Sequence, residues 1–110
     1  PNGARRSPDA SWMRRERWDA LTREDRRRFS HLCPDFVLEL RSPSDSLAEL
    51  QAKMEEYITN GAELGWLLDP EATRVYIYHQ GQSVQVLENP ETISGEPVLH
   101  GFFLNTRDIW

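Results

Sequence analysis

Asp35-Phe36-Val37-Leu38-Glu39-Leu40-Arg41 is the stretch whose reading decides the fold. Phe36, Leu38 and Leu40 alternate with Asp35, Val37, Glu39 and Arg41, which is the period-2 pattern of a β-strand with two distinct faces. A second face left wholly to water would not carry Val37, so that face is expected to be partly buried. A carboxylate on it, Glu39, then needs a partner, and a cation is one candidate.

Downstream, Ser42-Pro43-Ser44-Asp45 turns the chain. Ser46 is a good helix N-cap, and Glu49 three residues later completes a capping box. Leu47, Leu50, Met54, Tyr57 and Ile58 form an apolar stripe at helical spacing, and Asn60-Gly61 supplies the stop. Leu64–Leu68 is a compact apolar strand, followed by a turn at Asp69-Pro70-Glu71-Ala72. Arg74–His79 alternates, and Gln80-Gly81-Gln82 turns it into a hairpin partner over Ser83–Leu87. From Asn89-Pro90 to Val98-Leu99 the chain reads as loop. Gly101-Phe102-Phe103-Leu104 and Ile109-Trp110 are expected to pack back on the sheet.

Upstream, Ala10–Arg14 reads as a short strand. Thr22 caps a short arginine-rich helix over 23–29, and Pro34 closes that connection. The order strand, helix, strand, helix, strand, strand, strand is that of a mixed α/β sheet with helices packed against it. One domain over residues 1–110 fits the length. Pro1-Asn2-Gly3-Ala4 reads like the middle of a loop, so the fold is expected to begin upstream of Pro1.

Hydrophobic residues are 38% and charged residues 28% of the chain, which excludes a disordered segment. No apolar run approaches the roughly 20 residues that span a bilayer, so no membrane partner is expected. The single cysteine, Cys33, forms no internal disulfide and points to a reducing cytoplasm. The net charge of −5 hides an asymmetry: residues 1–33 hold nine arginines against five acids, and the rest holds four basic residues against thirteen acids. The acidic total argues against avid non-specific DNA binding, while the basic segment is either a solvated surface or a face for a phosphate backbone.

Three residues carry the candidate chemistry: Asp9 after Pro8, Glu39 on the strand and Lys53 on the helix. Phosphodiester hydrolysis needs carboxylates to hold Mg²⁺, an activated water, and a cation to stabilise the developing charge. Asp9 and Glu39 on neighbouring strands can meet at one ion, and the backbone carbonyl of Leu40 beside Glu39 can add an oxygen. At about 100° per residue, Lys53 sits roughly 90° from the middle of the apolar stripe, on its border beside Tyr57. The plainer reading of Lys53 is a solvent-side pair with Glu49 one turn earlier. The plainer reading of Asp9 is a turn residue. Glu39 resists such a reading because acids are depleted in central strands; its plainer alternative is that Glu39 and Arg41 pair with chain neighbours at a sheet edge. Asp35 shares its face and either assists at the metal or caps the turn before the strand. His31, His79 and His100 lack paired metal spacing, Cys33 reads as a core thiol, and Trp12, Trp18, Trp66 and Trp110 read as core or interface residues.

Pro34-Asp35-Phe36-Val37-Leu38-Glu39-Leu40-Arg41-Ser42-Pro43-Ser44-Asp45 resembles the hallmark segment of the Uma-two family of endonucleases. So do Lys53-Met54-Glu55-Glu56-Tyr57, Asn60-Gly61, Leu64-Gly65-Trp66-Leu67-Leu68-Asp69-Pro70 and the closing Gly101-Phe102 to Ile109-Trp110. The resemblance runs from about Gly3 to the end. It implies a restriction endonuclease-like fold with a PD-(D/E)XK site, in which Asp9 is the first acid and Glu39 the second. The position two after Glu39, where that motif has lysine, holds Arg41, a poor stand-in because it does not give up its proton. The family commonly carries its lysine on the next helix, the place of Lys53.

Two functions compete on this reading. One is a Mg²⁺-dependent DNA endonuclease, expected as a homo-oligomer, most simply a dimer. The other is an inactive nuclease-fold module for dimerisation or DNA binding, suggested by the acidic balance, by Arg41 and by an exposed aromatic hairpin around Tyr76 and Tyr78.

Overall fold

The computed structural model describes residues 9–24 and 34–110. The expected helix over 23–29 lies mostly outside them, as do Pro8, His31 and Cys33.

Five strands form one mixed sheet in the order β1-β2-β3-β4-β5: β1 Ala10–Trp12, β2 Phe36–Leu40, β3 Leu64–Asp69, β4 Arg74–His79 and β5 Gln85–Glu88. β2 and β3 are parallel and every other neighbouring pair is antiparallel. A parallel pair needs a crossover, and helix α2, Leu47–Thr59, provides it. Its start follows the capping-box reading, with the Ser46 hydroxyl accepting from the Glu49 amide at 3.3 Å. Its end is closed by the Ala62 amide on the Tyr57 carbonyl at 3.0 Å, and Gly61 at φ +118° takes the left-handed exit.

The sheet is buried on both faces. On one face Leu50, Met54 and Tyr57 of α2 pack with Val37, Ala62, Leu67, Tyr76 and Tyr78. Opposite lie Phe36, Leu64, Trp66, Leu68, Val75, Ile77, Ile93 and Val98. Gly65 of β3 lets α2 approach closely: a Cβ there would stand 2.6 Å from Met54 Cε and 3.2 Å from Val37 Cγ2. Among the described residues no helix is long and apolar enough to cross a membrane.

Several expectations change. The first strand ends at Trp12, and a five-residue helix follows, α1 over Arg15–Asp19, which buries no residue and so leaves no apolar period to read. The segment read as loop after Pro90 contains β6, Thr92–Ser94, paired antiparallel with β7, Phe103–Asn105. This ribbon brings Leu104 and Trp110 onto the second face, as expected, together with Leu99 from the segment read as loop, and Phe102 stacks on Trp66 at 6.1 Å. Phe103 instead remains 62% exposed. The aromatic hairpin is not exposed: Tyr76 and Tyr78 point under α2 and are buried.

Candidate active site

Alternation along β2 puts Val37 and Glu39 on the α2 side. Antiparallel pairing matches Ala10 with Leu38 and Ser11 with Val37, so the same register carried one step further sets Asp9 opposite Glu39. Directly opposed residues share a face with Cβ atoms about 5 Å apart. Asp9 also accepts from the Leu40 amide through Oδ2 at 2.7 Å, which ties the start of β1 to the end of β2.

Glu39 is only 3% exposed, in a sheet interior where an unpaired carboxylate would be costly. Two groups from α2 answer it. The Lys53 amine stands 3.1 Å from Oε2, and the Tyr57 hydroxyl donates to the same oxygen at 3.2 Å. Lys53 and Tyr57 are one helical turn apart, so both project from one side of α2. Burial pushes the Glu39 carboxyl above the ordinary glutamate range. Lys53 pulls it back by hydrogen bond and by charge, the nearby Asp9 carboxylate pushes it up again, and Tyr57 lowers it.

Arg41 shares the face but not the site. Its Nη1 lies 3.2 Å from both carboxylate oxygens of the buried Asp69, and its Nε donates to the Asp45 carbonyl at 3.3 Å. The Asp45 carboxylate in turn accepts from the Ser42 amide and hydroxyl, each at 2.9 Å, and these bonds lower its pKa. Arg41 thereby fixes the turn between β2 and α2.

Asp35 stands four residues before Glu39, about 13 Å along the strand. It accepts from the Arg14 amide at 2.7 Å and from Arg17 Nη1 at 3.0 Å, while Arg14 also pairs with Glu63. Of its two sequence readings, tying down the entry to the strand is the one the geometry supports. His100 pairs with Glu96 on the surface, away from these acids in sequence and partners.

The donor set fits a hard divalent cation. Asp9 and Glu39 are like charges close enough to raise one carboxyl through the other, an arrangement that a cation relieves. Among the described residues no three His, Cys, Asp or Glu side chains group as a metal cluster. Two carboxylates with waters suffice for Mg²⁺, and the Leu40 backbone is adjacent.

A family model described as "Putative restriction endonuclease", Uma2, matches residues 1–107. The chain belongs to the Uma2 family. A solved structure, "Crystal structure of a putative nuclease belonging to DUF820 from Anabaena variabilis", aligns with a TM-score of 0.63 at 24% identity. The alignment covers 71% of this chain and 44% of that one, so this Uma2 chain spans less than half the length of that protein. The likeness is one of fold, and it agrees with the mixed α/β sheet flanked by helices. No curated protein matches.

Tyr57 is the site residue that sequence reasoning passed over. At a stripe position it reads as apolar core, but a buried tyrosine hydroxyl requires a partner, and one turn back stands the candidate lysine. Asp69, read as a turn residue, was passed over in the same way.

Proposed function

We propose that this Uma2 chain carries a Mg²⁺-dependent DNA endonuclease site of the PD-(D/E)XK type, with its lysine moved to the helix after the second acid. The observation that carries the proposal is the Lys53 amine 3.1 Å from the Glu39 carboxylate, at the end of β2 where Asp9 lies opposite. In this reading Asp9, Glu39 and the Leu40 carbonyl hold the ion. When bound, Mg²⁺ supplies Lewis acidity at the phosphoryl oxygens and lowers the pKa of water.

The protein's own residues do the rest. Glu39 fixes the amine of Lys53 at the edge of the notch, where it orients the attacking water. The same charge steadies the phosphoryl oxygens as negative charge builds on them. Lysine suits this role better than arginine because its proton can be exchanged with the water it orients. Arg41, held by Asp69, does not compete for the phosphate. DNA is the partner this chemistry implies.

The test is cleavage of plasmid DNA by the full-length chain. Cleavage that needs Mg²⁺ and is lost in both Glu39→Ala and Lys53→Ala is expected. Cleavage that survives both substitutions overturns the proposal.

A further inference from the structure

We infer that Tyr57 is an ion-selecting residue: with Lys53 it occupies Oε2 of Glu39, limits that carboxylate to one metal-binding oxygen, and so favours Mg²⁺ over Ca²⁺. The inference rests on the reading of Glu39 as a metal ligand and goes beyond it.

Both α2 contacts converge on one oxygen. The Tyr57 hydroxyl lies 3.2 Å from Oε2 and the Lys53 amine 3.1 Å from the same atom, and Oε1 takes part in neither. The tyrosine cannot readily turn away. It is 6% exposed, packed with Leu50, Met54 and Ala62 beneath the helix, and the Lys53 amine also lies 5.9 Å from its ring centroid. A chelating carboxylate must offer both oxygens at comparable distance to one ion. Here one oxygen is already held by a neutral donor and a cationic donor from the protein.

The two ions differ in what they ask of a carboxylate. Ca²⁺ takes six to eight oxygens in a loose shell and gains from bidentate carboxylates. Mg²⁺ takes six at shorter distance, keeps several waters, and is served by single oxygens from one or two carboxylates. Holding Oε2 away from the ion therefore costs Ca²⁺ a ligand and costs Mg²⁺ nothing. Tyr57→Phe keeps the buried ring and deletes only the hydroxyl.

The experiment is calorimetric titration of the full-length chain with Mg²⁺ and, separately, with Ca²⁺. The proteins are the wild type, Glu39→Gln, Tyr57→Phe and Lys53→Met, each checked for folding by circular dichroism. Because the freed oxygen adds a ligand that Ca²⁺ uses and Mg²⁺ does not, the ratio of the Ca²⁺ to the Mg²⁺ dissociation constant is expected to fall about tenfold in Tyr57→Phe. Lys53→Met frees the same oxygen from its other donor and lowers the ratio in the same direction, so the outcome does not hang on one variant folding. Equal weakening of both ions, or no change in the ratio, overturns the inference while leaving the site intact. A wild type without a Mg²⁺ isotherm, or an isotherm kept in Glu39→Gln, overturns the site and the inference with it.

Discussion

The amine of Lys53 lies 3.1 Å from Oε2 of Glu39, with only 20% and 4% of the two side chains exposed. Such a pair is worth little as net stability, because desolvation offsets attraction, but breaking it from one side strands a buried charge. Lys53→Met is therefore expected to destabilise the fold by about 2 kcal/mol, discounted from fully buried pairs because the amine keeps some solvent. Glu39→Gln combined with Lys53→Met should cost less than the sum of the single changes by about 1 kcal/mol. Urea midpoints of the four proteins measure this, and strict additivity would mean that the pair does not form in solution.

Arg41 occupies the place where the common motif has lysine, yet its guanidinium reaches Asp69 and the Asp45 carbonyl. A lysine amine cannot make the Nε contact and the Asp69 contact together. Arg41→Lys should lose about 1–2 kcal/mol, and Arg41→Ala, which leaves the 1% exposed Asp69 unpaired, about 3–5 kcal/mol. At temperatures where the variants stay folded, cleavage should persist. Loss of cleavage in a folded Arg41→Ala protein would return the catalytic cation to this position.

Asp35 sits on the same face of β2 as Glu39 but is held by Arg14 and Arg17 at the strand's opposite end. Asp35→Asn should lower the urea midpoint by an amount equivalent to about 1–3 kcal/mol, the usual worth of hydrogen bonds to a charged group. Its Mg²⁺ isotherm should match that of the wild type. A weakened isotherm would make Asp35 part of the metal site.

What the sequence made legible follows the reach of local pattern. The period of 2 in Asp35–Arg41 and the capped period near 3.6 in Ser46–Asn60 each bury a full face, so β2 and α2 emerge within a residue or two of their expected bounds. β6 and α1 bury one side chain and none, respectively, and leave no pattern to find. At the site, the resemblance to Uma2 members singled out Asp9, Glu39 and Lys53. Spacing alone favoured a solvent-side pair of Lys53 with Glu49. The partnership of Tyr57 with Glu39 and of Arg41 with Asp69 depends on strand pairing and helix crossing, which bring together residues 18 and 28 positions apart. Tyr76 and Tyr78 show the same limit, since an alternating hairpin does not reveal that a helix covers it.

Burial beside Glu55 and Tyr76 pushes the Tyr78 phenol up to about 12 from its usual 10.0. A raised folded pKa means that the unfolded chain releases this proton first. Stability from this group is therefore complete below pH 10 and is lost as pH rises from 10 through 12. Two units correspond to at most about 2–3 kcal/mol. Tyr78→Phe should remove this part of the alkaline loss, read as the difference between wild-type and variant urea midpoints from pH 9 to 12. Parallel curves would mean that the phenol is solvated.

Gly65 links the packing of the fold to the site. Any Cβ there meets Met54 Cε at 2.6 Å and Val37 Cγ2 at 3.2 Å, and both neighbours are fully buried. Met54 is adjacent to Lys53 on α2, so relief comes either by moving the thioether end or by lifting the helix off β3. Gly65→Ala should cost about 1–3 kcal/mol through this overpacking. If the helix lifts, the Lys53 and Tyr57 contacts to Glu39 lengthen and the Mg²⁺ isotherm weakens in a protein that still folds. Met54→Ala alone should cost about 2–5 kcal/mol by leaving a cavity. Combined with Gly65→Ala it should cost less than the sum, because the new methyl enters the space the thioether vacates. Additive losses in the double variant would show that residues 54 and 65 do not pack together, and the helix would then owe its seat on the sheet to other contacts.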